Sequence, residues 1–197
     1  MRNSAPYQLT DEQRTELKQR MTEVRRVVIK VGTRIIDDPE TRFNGPVAVE
    51  LARDIAKLRE RGLEVILVSS GAIGLGMRIR GDTRRPRKLA RRQAYAAIGQ
   101  SELMHQYRGI FRIYNIPVSQ VLLTRHDLDN RMSYVNAREA LTELLKLGTL
   151  PIVNENDTVA VDELRFSDND MLAALLAGKV DADLLVMLTV VDGLYTN

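Results

Sequence analysis

Residues 27–32 read VVIKVG, a short apolar run with a lysine near its end and a glycine directly after it. Residues 65–71 read VILVSSG and have the same pattern, and residues 151–155 read PIVNE. These runs are apolar at consecutive positions, not at alternate ones, which is typical of strands buried on both faces of a parallel sheet. The first run therefore predicts a central β-strand whose carboxyl end carries polar residues.

Stretches with helical spacing lie between the apolar runs. We predict strands at 27–31, 65–68, 118–123, 151–153 and 184–188, and helices at 46–61, 88–111, 134–147 and 169–177. Strands that alternate with helices predict an α/β fold, here a three-layer αβα sandwich with a mainly parallel sheet. A further helix over 9–24 precedes the first strand, with Thr10 and Gln13 at capping-box spacing. We expect residues 1–26 to form a helical extension and residues 27–197 to form the main domain.

Composition narrows the class of protein. The chain has 197 residues, of which 44% are hydrophobic and 28% charged, and its net charge is +3. It contains no cysteine and two histidines, so a cysteine-rich or histidine-rich metal site is not expected. No apolar run reaches the roughly 18 residues of a membrane helix, and the first residues lack the apolar stretch of a signal peptide. We therefore expect a soluble cytoplasmic protein without a metal site of its own.

Polar residues and glycines follow the predicted strands, where open parallel sheets bind their ligands. Gly32 and Gly71 would let backbone N–H groups approach an anion, and Lys30 would place positive charge against phosphoryl oxygens. An equally valid interpretation is that these glycines only make tight turns and that Lys30 lies on the surface. Neither GxxxxGK[ST] nor GxGxxG occurs, so an ATP-using enzyme with this sequence would belong to another class.

Four segments, in order and spacing, resemble the glutamate 5-kinase group of the amino-acid kinase family. They are VIKVGT at 28–33, VSSGAI at 68–73, NENDTVA at 154–160 and DNDMLAA at 168–174. The stretches 97–101, 120–124 and 136–138 are similar to that group as well. The resemblance runs from about residue 27 to residue 197. Its last two motifs are the specific ones, since the first two recur across the family.

The resemblance implies ATP-dependent phosphorylation of the γ-carboxylate of L-glutamate to L-glutamyl 5-phosphate, the first step of proline biosynthesis, with Mg²⁺ bound to the ATP. It implies catalytic roles for Lys30, which contacts the ATP phosphates, and for Asp170, which organises the lysines around the transferred group. The implied glutamate-binding residues are Ser70, Gly71, Ala72, Asp157 and Asn169. The implied ATP-binding residues are Lys30, Gly32, Thr33, Thr189 and Val190, the last standing where the family commonly has aspartate.

Several alternatives stay open. The family continues well beyond the last predicted strand with a second phosphate-binding lysine, so we expect an incomplete nucleotide lobe and a chain that is not a competent kinase alone. A glutamate-binding or regulatory protein is one alternative, and a sister enzyme such as acetylglutamate, carbamate, uridylate or aspartate kinase is another.

A run of eight basic residues suggests a further alternative, nucleic-acid binding. The run comprises Arg78, Arg80, Arg84, Arg85, Arg87, Lys88, Arg91 and Arg92. It contains no aromatic residue on which bases could stack, so a solvated loop and helix face is the favoured interpretation. An intermediate interpretation is that the run helps to attract anionic glutamate and ATP. For partners we expect a small-molecule substrate and a homo-oligomer, with neither a membrane nor a nucleic acid.

Overall fold

A computed structural model of the protein describes residues 9–32, 45–160 and 169–189. Strands and helices alternate along them. The strands are β1 (Arg26–Val31), β2 (Glu64–Ser69), β3 (Val118–Leu123), β4 (Leu150–Glu155) and β5 (Leu184–Leu188). The helices are α1 (Asp11–Glu23), α2 (Pro46–Glu60), α3 (Ala72–Ile79), α4 (Leu89–Arg112), α5 (Arg125–Asp129), α6 (Arg131–Lys146) and α7 (Asn169–Lys179).

The described strands form one five-stranded sheet in the order β3-β4-β2-β1-β5, and every neighbouring pair is parallel. Ile29 is paired with Leu67 on one side and with Val186 on the other. The carboxyl ends of all five strands therefore meet at one edge of the sheet, which we call the carboxyl edge.

Side chains of β1 alternate between two buried clusters, one on each face of the sheet. Val27, Ile29 and Val31 belong to the cluster that α2 and α4 cover, whereas Val28 belongs to the cluster beneath α6 and α7. This arrangement gives the three layers of an αβα sandwich, so the predicted fold class is confirmed.

The prediction that all strands are buried on both faces holds for β1, β2 and β4 only. β3 and β5 form the two edges of the described sheet, and most of their residues are partly exposed. A strand at an edge of the sheet has a hydrogen-bonded neighbour on one side alone. Its apolar run looks the same in sequence as that of a central strand, so the runs did not show which strands lie at the edges.

Two helices, α3 and α5, were not predicted, and α6 begins three residues earlier than expected. α3 contains two glycines, which weaken a helical pattern in sequence. Its position depends on close packing against α4: a Cβ atom on Gly99 would lie 1.8 Å from the carbonyl oxygen of Ala72, and one on Gly76 would lie 1.9 Å from that of Tyr95. Glycine at these two places therefore lets the two helices cross with their backbones in contact.

Helix α1 has the predicted capping box, in which Thr10 and Gln13 exchange hydrogen bonds. None of its residues is buried, so α1 is not packed into the described core. The chain enters the sheet just after it, where the backbone N–H groups of Arg25 and Arg26 both donate to the Asp183 carboxylate at 2.8 Å. No helix of the described part is long and apolar enough to cross a membrane.

Candidate functional site

A buried ion pair lies at the centre of the carboxyl edge. Lys30, near the end of β1, is 6% exposed, and its ammonium group pairs with the carboxylate of Asp170 in the first turn of α7. A buried ammonium needs such a partner, because desolvation makes an unpaired charge costly. The structure thus brings together the two residues to which the resemblance gives catalytic roles.

Gly32 lies beside this ammonium group. Its N–H donates to the carbonyl oxygen of Leu188 at the end of β5, at 3.3 Å. A Cβ atom on Gly32 would lie 3.6 Å from Lys30 Nζ. Glycine therefore leaves open the space next to the charge, where an anionic group could approach.

Asn169, the first residue of α7, connects three elements at this edge. Its side-chain Nδ2 donates to Ser70 Oγ at 2.7 Å, just beyond β2, and to Asn154 Oδ1 at 3.1 Å, in β4. Asn169 is 9% exposed, and its own oxygen, Oδ1, is buried without a hydrogen-bond partner among the described residues. A buried acceptor with no donor is unfavourable, so this oxygen is a candidate contact for a bound ligand.

Asn154 and Gln100 complete this network, and sequence reasoning gave neither a role. Asn154 is 1% exposed and donates from Nδ2 to Gln100 Oε1 on α4, at 2.9 Å. A signal for Asn154 was present in the sequence, since it is an amide inside an otherwise apolar strand. Gln100 carried no comparable signal, because one polar residue on a long helix is ordinarily exposed.

Two carboxylates lie at the carboxyl end of β4, on its last residue, Glu155, and on Asp157 just beyond it. Burial raises the pKa of Asp157, although the nearby charges of Arg92 and Arg85 act in the opposite direction. Burial also raises the pKa of Glu155, and the negative charge of Asp157 raises it further. Two partly buried carboxylates that repel each other favour a cationic ligand group between or beside them.

The turn after β2 supplies a helix N-terminus. Gly71 has a φ angle of 112°, in the left-handed region, and directly precedes α3. This conformation suits glycine, and it turns the chain so that α3 begins with the buried Ala72 at the carboxyl edge. Free N–H groups in the first turn of a helix attract anions.

The remaining predicted site residues are less informative. Thr189 directly follows β5 and is exposed. Thr33 and Val190 lie outside the described residues. Within the described ranges, no group of three or more acidic or histidine side chains could hold a metal ion.

Comparison with known proteins adds a family and a set of relatives. The family model described as "Amino acid kinase family" matches residues 25–197. The chain is similar to glutamate 5-kinase of Herpetosiphon aurantiacus, with 53% identity over 171 residues, which are 87% of this chain and 46% of that protein. It is similar to glutamate 5-kinase of Gloeobacter violaceus, with 52% identity over 174 residues, 86% of this chain and 46% of that protein.

A third relative is glutamate 5-kinase of Moorella thermoacetica, 48% identical over 181 residues that cover 92% of this chain and 48% of that protein. The chain thus spans about half the length of these relatives.

Proposed function

Since this chain belongs to the amino acid kinase family, we propose that it forms the glutamate-binding part of a glutamate 5-kinase, which transfers a phosphoryl group from ATP to L-glutamate. The observation that carries this proposal is the buried ion pair of Lys30 and Asp170 next to the hydrogen-bonded Asn169. A fixed positive charge thus adjoins a set of groups suited to an amino acid.

The reaction joins two anions, so it needs positive charge more than it needs a base. An oxygen of the γ-carboxylate attacks the terminal phosphorus of ATP, and the bond from that phosphorus to the ADP oxygen breaks. No proton has to move, because the attacking carboxylate is already ionised. Catalysis of this kind rests on positioning and electrostatics. Lys30 supplies a preorganised charge for the phosphoryl oxygens, and Asp170 holds it in place.

Glutamate binding is assigned to the other half of the carboxyl edge. The ammonium group of glutamate suits the carboxylate of Asp157, whose pKa burial raises although the charges of Arg92 and Arg85 act in the opposite direction. A carboxylate of glutamate suits the N-terminus of α3, which follows Gly71 and begins at Ala72. Mg²⁺ would arrive with ATP as part of the co-substrate.

Glutamate binding without turnover is the second candidate function. It is favoured by the length comparison, because the chain spans about half of each relative. Phosphoryl transfer needs positive charge on both sides of the phosphate chain. Among the described residues, Lys30 is the one buried lysine. The predicted homo-oligomer and cytoplasmic location stay predictions from the sequence.

One experiment separates these candidates. The purified 197-residue chain is titrated with glutamate by calorimetry and then incubated with glutamate, Mg-ATP and hydroxylamine, which traps an acyl phosphate as a hydroxamate. Hydroxamate that depends on glutamate supports the kinase, and binding without hydroxamate supports the binding chain. A folded chain that neither binds glutamate nor forms hydroxamate would overturn both.

A further inference from the structure

Gln100 has no part in the proposed transfer, yet it is nine-tenths buried and belongs to the network beneath Asn169. It lies on α4 and reaches across to β4, where its Oε1 accepts the hydrogen bond from Asn154. Burying a carboxamide costs desolvation that its hydrogen bonds must offset. The role of Gln100 therefore depends on which other groups Asn154 contacts.

Two neighbours orient Asn154, one at each end of its side-chain amide. The N–H of Glu155 donates to Asn154 Oδ1 at 2.9 Å, and a backbone N–H can only donate. The oxygen of Asn154 must therefore face Glu155, and its Nδ2 must point the other way, toward Gln100. Because Gln100 offers an acceptor at that place, Asn154 satisfies both ends of its side chain in this one orientation.

Asn154 in turn orients Asn169. Its oxygen can only accept, so Asn169 must present Nδ2 to it, and the same Nδ2 group also donates to Ser70 Oγ. The Asn169 oxygen, Oδ1, is left buried without a donor among the described residues. The ligand group that fits it must donate a hydrogen bond, so an ammonium fits and a carboxylate does not.

We propose that Gln100 is a positioning residue: through Asn154 it fixes the amide of Asn169 with its oxygen as the acceptor for the α-ammonium group of glutamate. This inference rests on the proposed function, since it specifies which group of glutamate meets Asn169. The carboxylate of Asp157, three residues beyond Asn154, supplies the negative charge for the same ammonium. Gln100 thus acts on substrate choice without touching the substrate.

The test compares glutamate with glutarate, which has both carboxylates but no ammonium group. Gln100→Met keeps the size of the side chain and removes the acceptor for Asn154. Gln100→Glu is the conservative variant, because burial favours its neutral form, which keeps an acceptor oxygen in the same place. Gln106→Met is the matched control, since the side chain of Gln106 lies on the same helix and, among the described residues, hydrogen-bonds to Glu102 and not to Asn154. Calorimetry and thermal-shift titration of the full 197-residue chain give both affinities.

We expect Gln100→Met to lower glutamate affinity about tenfold, the effect of losing one well-oriented hydrogen bond to a charged group. Glutarate affinity should change less than twofold, Gln100→Glu should restore glutamate binding to within about threefold, and Gln106→Met should alter neither. Gln100→Met that weakens both ligands equally, or neither, would overturn the inference.

Wild-type chain that binds no glutamate would overturn the proposed function itself, which distinguishes the two failures. If circular dichroism shows that Gln100→Met does not fold, Gln100→Asn takes its place. That variant keeps an amide but withdraws it by about 1.5 Å, one carbon–carbon bond. An unchanged preference for glutamate over glutarate in Gln100→Asn would equally overturn the inference.

Discussion

Replacing Asp170 by alanine should destabilise the protein far more than replacing Lys30 by methionine, although the two residues form one ion pair. The reason is their unequal burial: the Lys30 side chain is 8% exposed and that of Asp170 is 35% exposed. Asp170→Ala leaves a buried ammonium without its counter-charge. Lys30→Met removes the buried charge, fills its space with an apolar side chain and leaves a carboxylate that water can reach.

Known costs of broken ion pairs set the size of this difference. Removal of one partner from a buried pair costs about 3–5 kcal/mol, which is the expectation for Asp170→Ala. A partly exposed carboxylate regains hydration, so Lys30→Met should cost about 1 kcal/mol or less. The double variant Lys30→Met/Asp170→Ala should have nearly the same free energy of unfolding as Lys30→Met, because it contains no buried charge without a partner.

Urea unfolding followed by circular dichroism, without ligands, measures these costs as changes in the free energy of unfolding. Arg138→Ala is the control, since it breaks an exposed pair with Asp181 and should cost less than about 1 kcal/mol. Equal costs for the two single variants, or a larger cost for Lys30→Met, would refute the account of a buried charge held by a partly exposed partner.

Two further predictions concern the carboxyl edge and the helix crossing. Asp157→Asn should weaken glutamate binding by about 1–3 kcal/mol, yet raise the stability of the ligand-free chain at neutral pH. Since burial raises the pKa of Asp157, its ionisation lowers the stability of the folded chain as pH rises through the folded pKa. The gain in stability from Asp157→Asn should therefore vanish below pH 3.8, the ordinary pKa of this group. Thermal melts across pH check this, and a gain of the same size at every pH would contradict it. Gly99→Ala should destabilise the protein by about 1–3 kcal/mol or more in urea unfolding, because its Cβ would meet the Ala72 carbonyl oxygen. Gly109→Ala, on the same helix, is the control: its Cβ faces open space, so the substitution should be neutral or stabilising by about 1 kcal/mol. Equal effects of the two glycine substitutions would show that the crossing is not closely packed.

The sheet and its covering helices could be predicted, because β1, β2 and β4 are apolar at consecutive positions and the predicted helices lie between the strands. The same signal could not show which strands form the edges. Nor could it find α3, whose glycines serve a close contact with α4 that becomes visible only once both helices are placed.

The candidate site was predictable where polar residues directly follow strands, as with Ser70 and Asp157, and where a lysine interrupts an apolar run, as with Lys30. Gln100 was not predictable, because it reaches Asn154 across 54 positions in sequence and only the packing of α4 on the sheet brings them together. A distant residue whose role is to orient another leaves no local pattern in one sequence.

The two halves of the carboxyl edge differ in how far they are satisfied without ligands. The ammonium group of Lys30 already has its counter-charge, so the charge that would meet a phosphoryl group is held in place beforehand. On the glutamate side, by contrast, the oxygen of Asn169 has no donor among the described residues, and burial disfavours the ionised form of Asp157. An ammonium group would relieve both costs at once, whereas a dicarboxylate without one would relieve neither. Under the proposed function, selectivity for an amino acid over a simple dicarboxylate would thus follow from what the ligand-free edge leaves unsatisfied, and transfer chemistry from what it already satisfies.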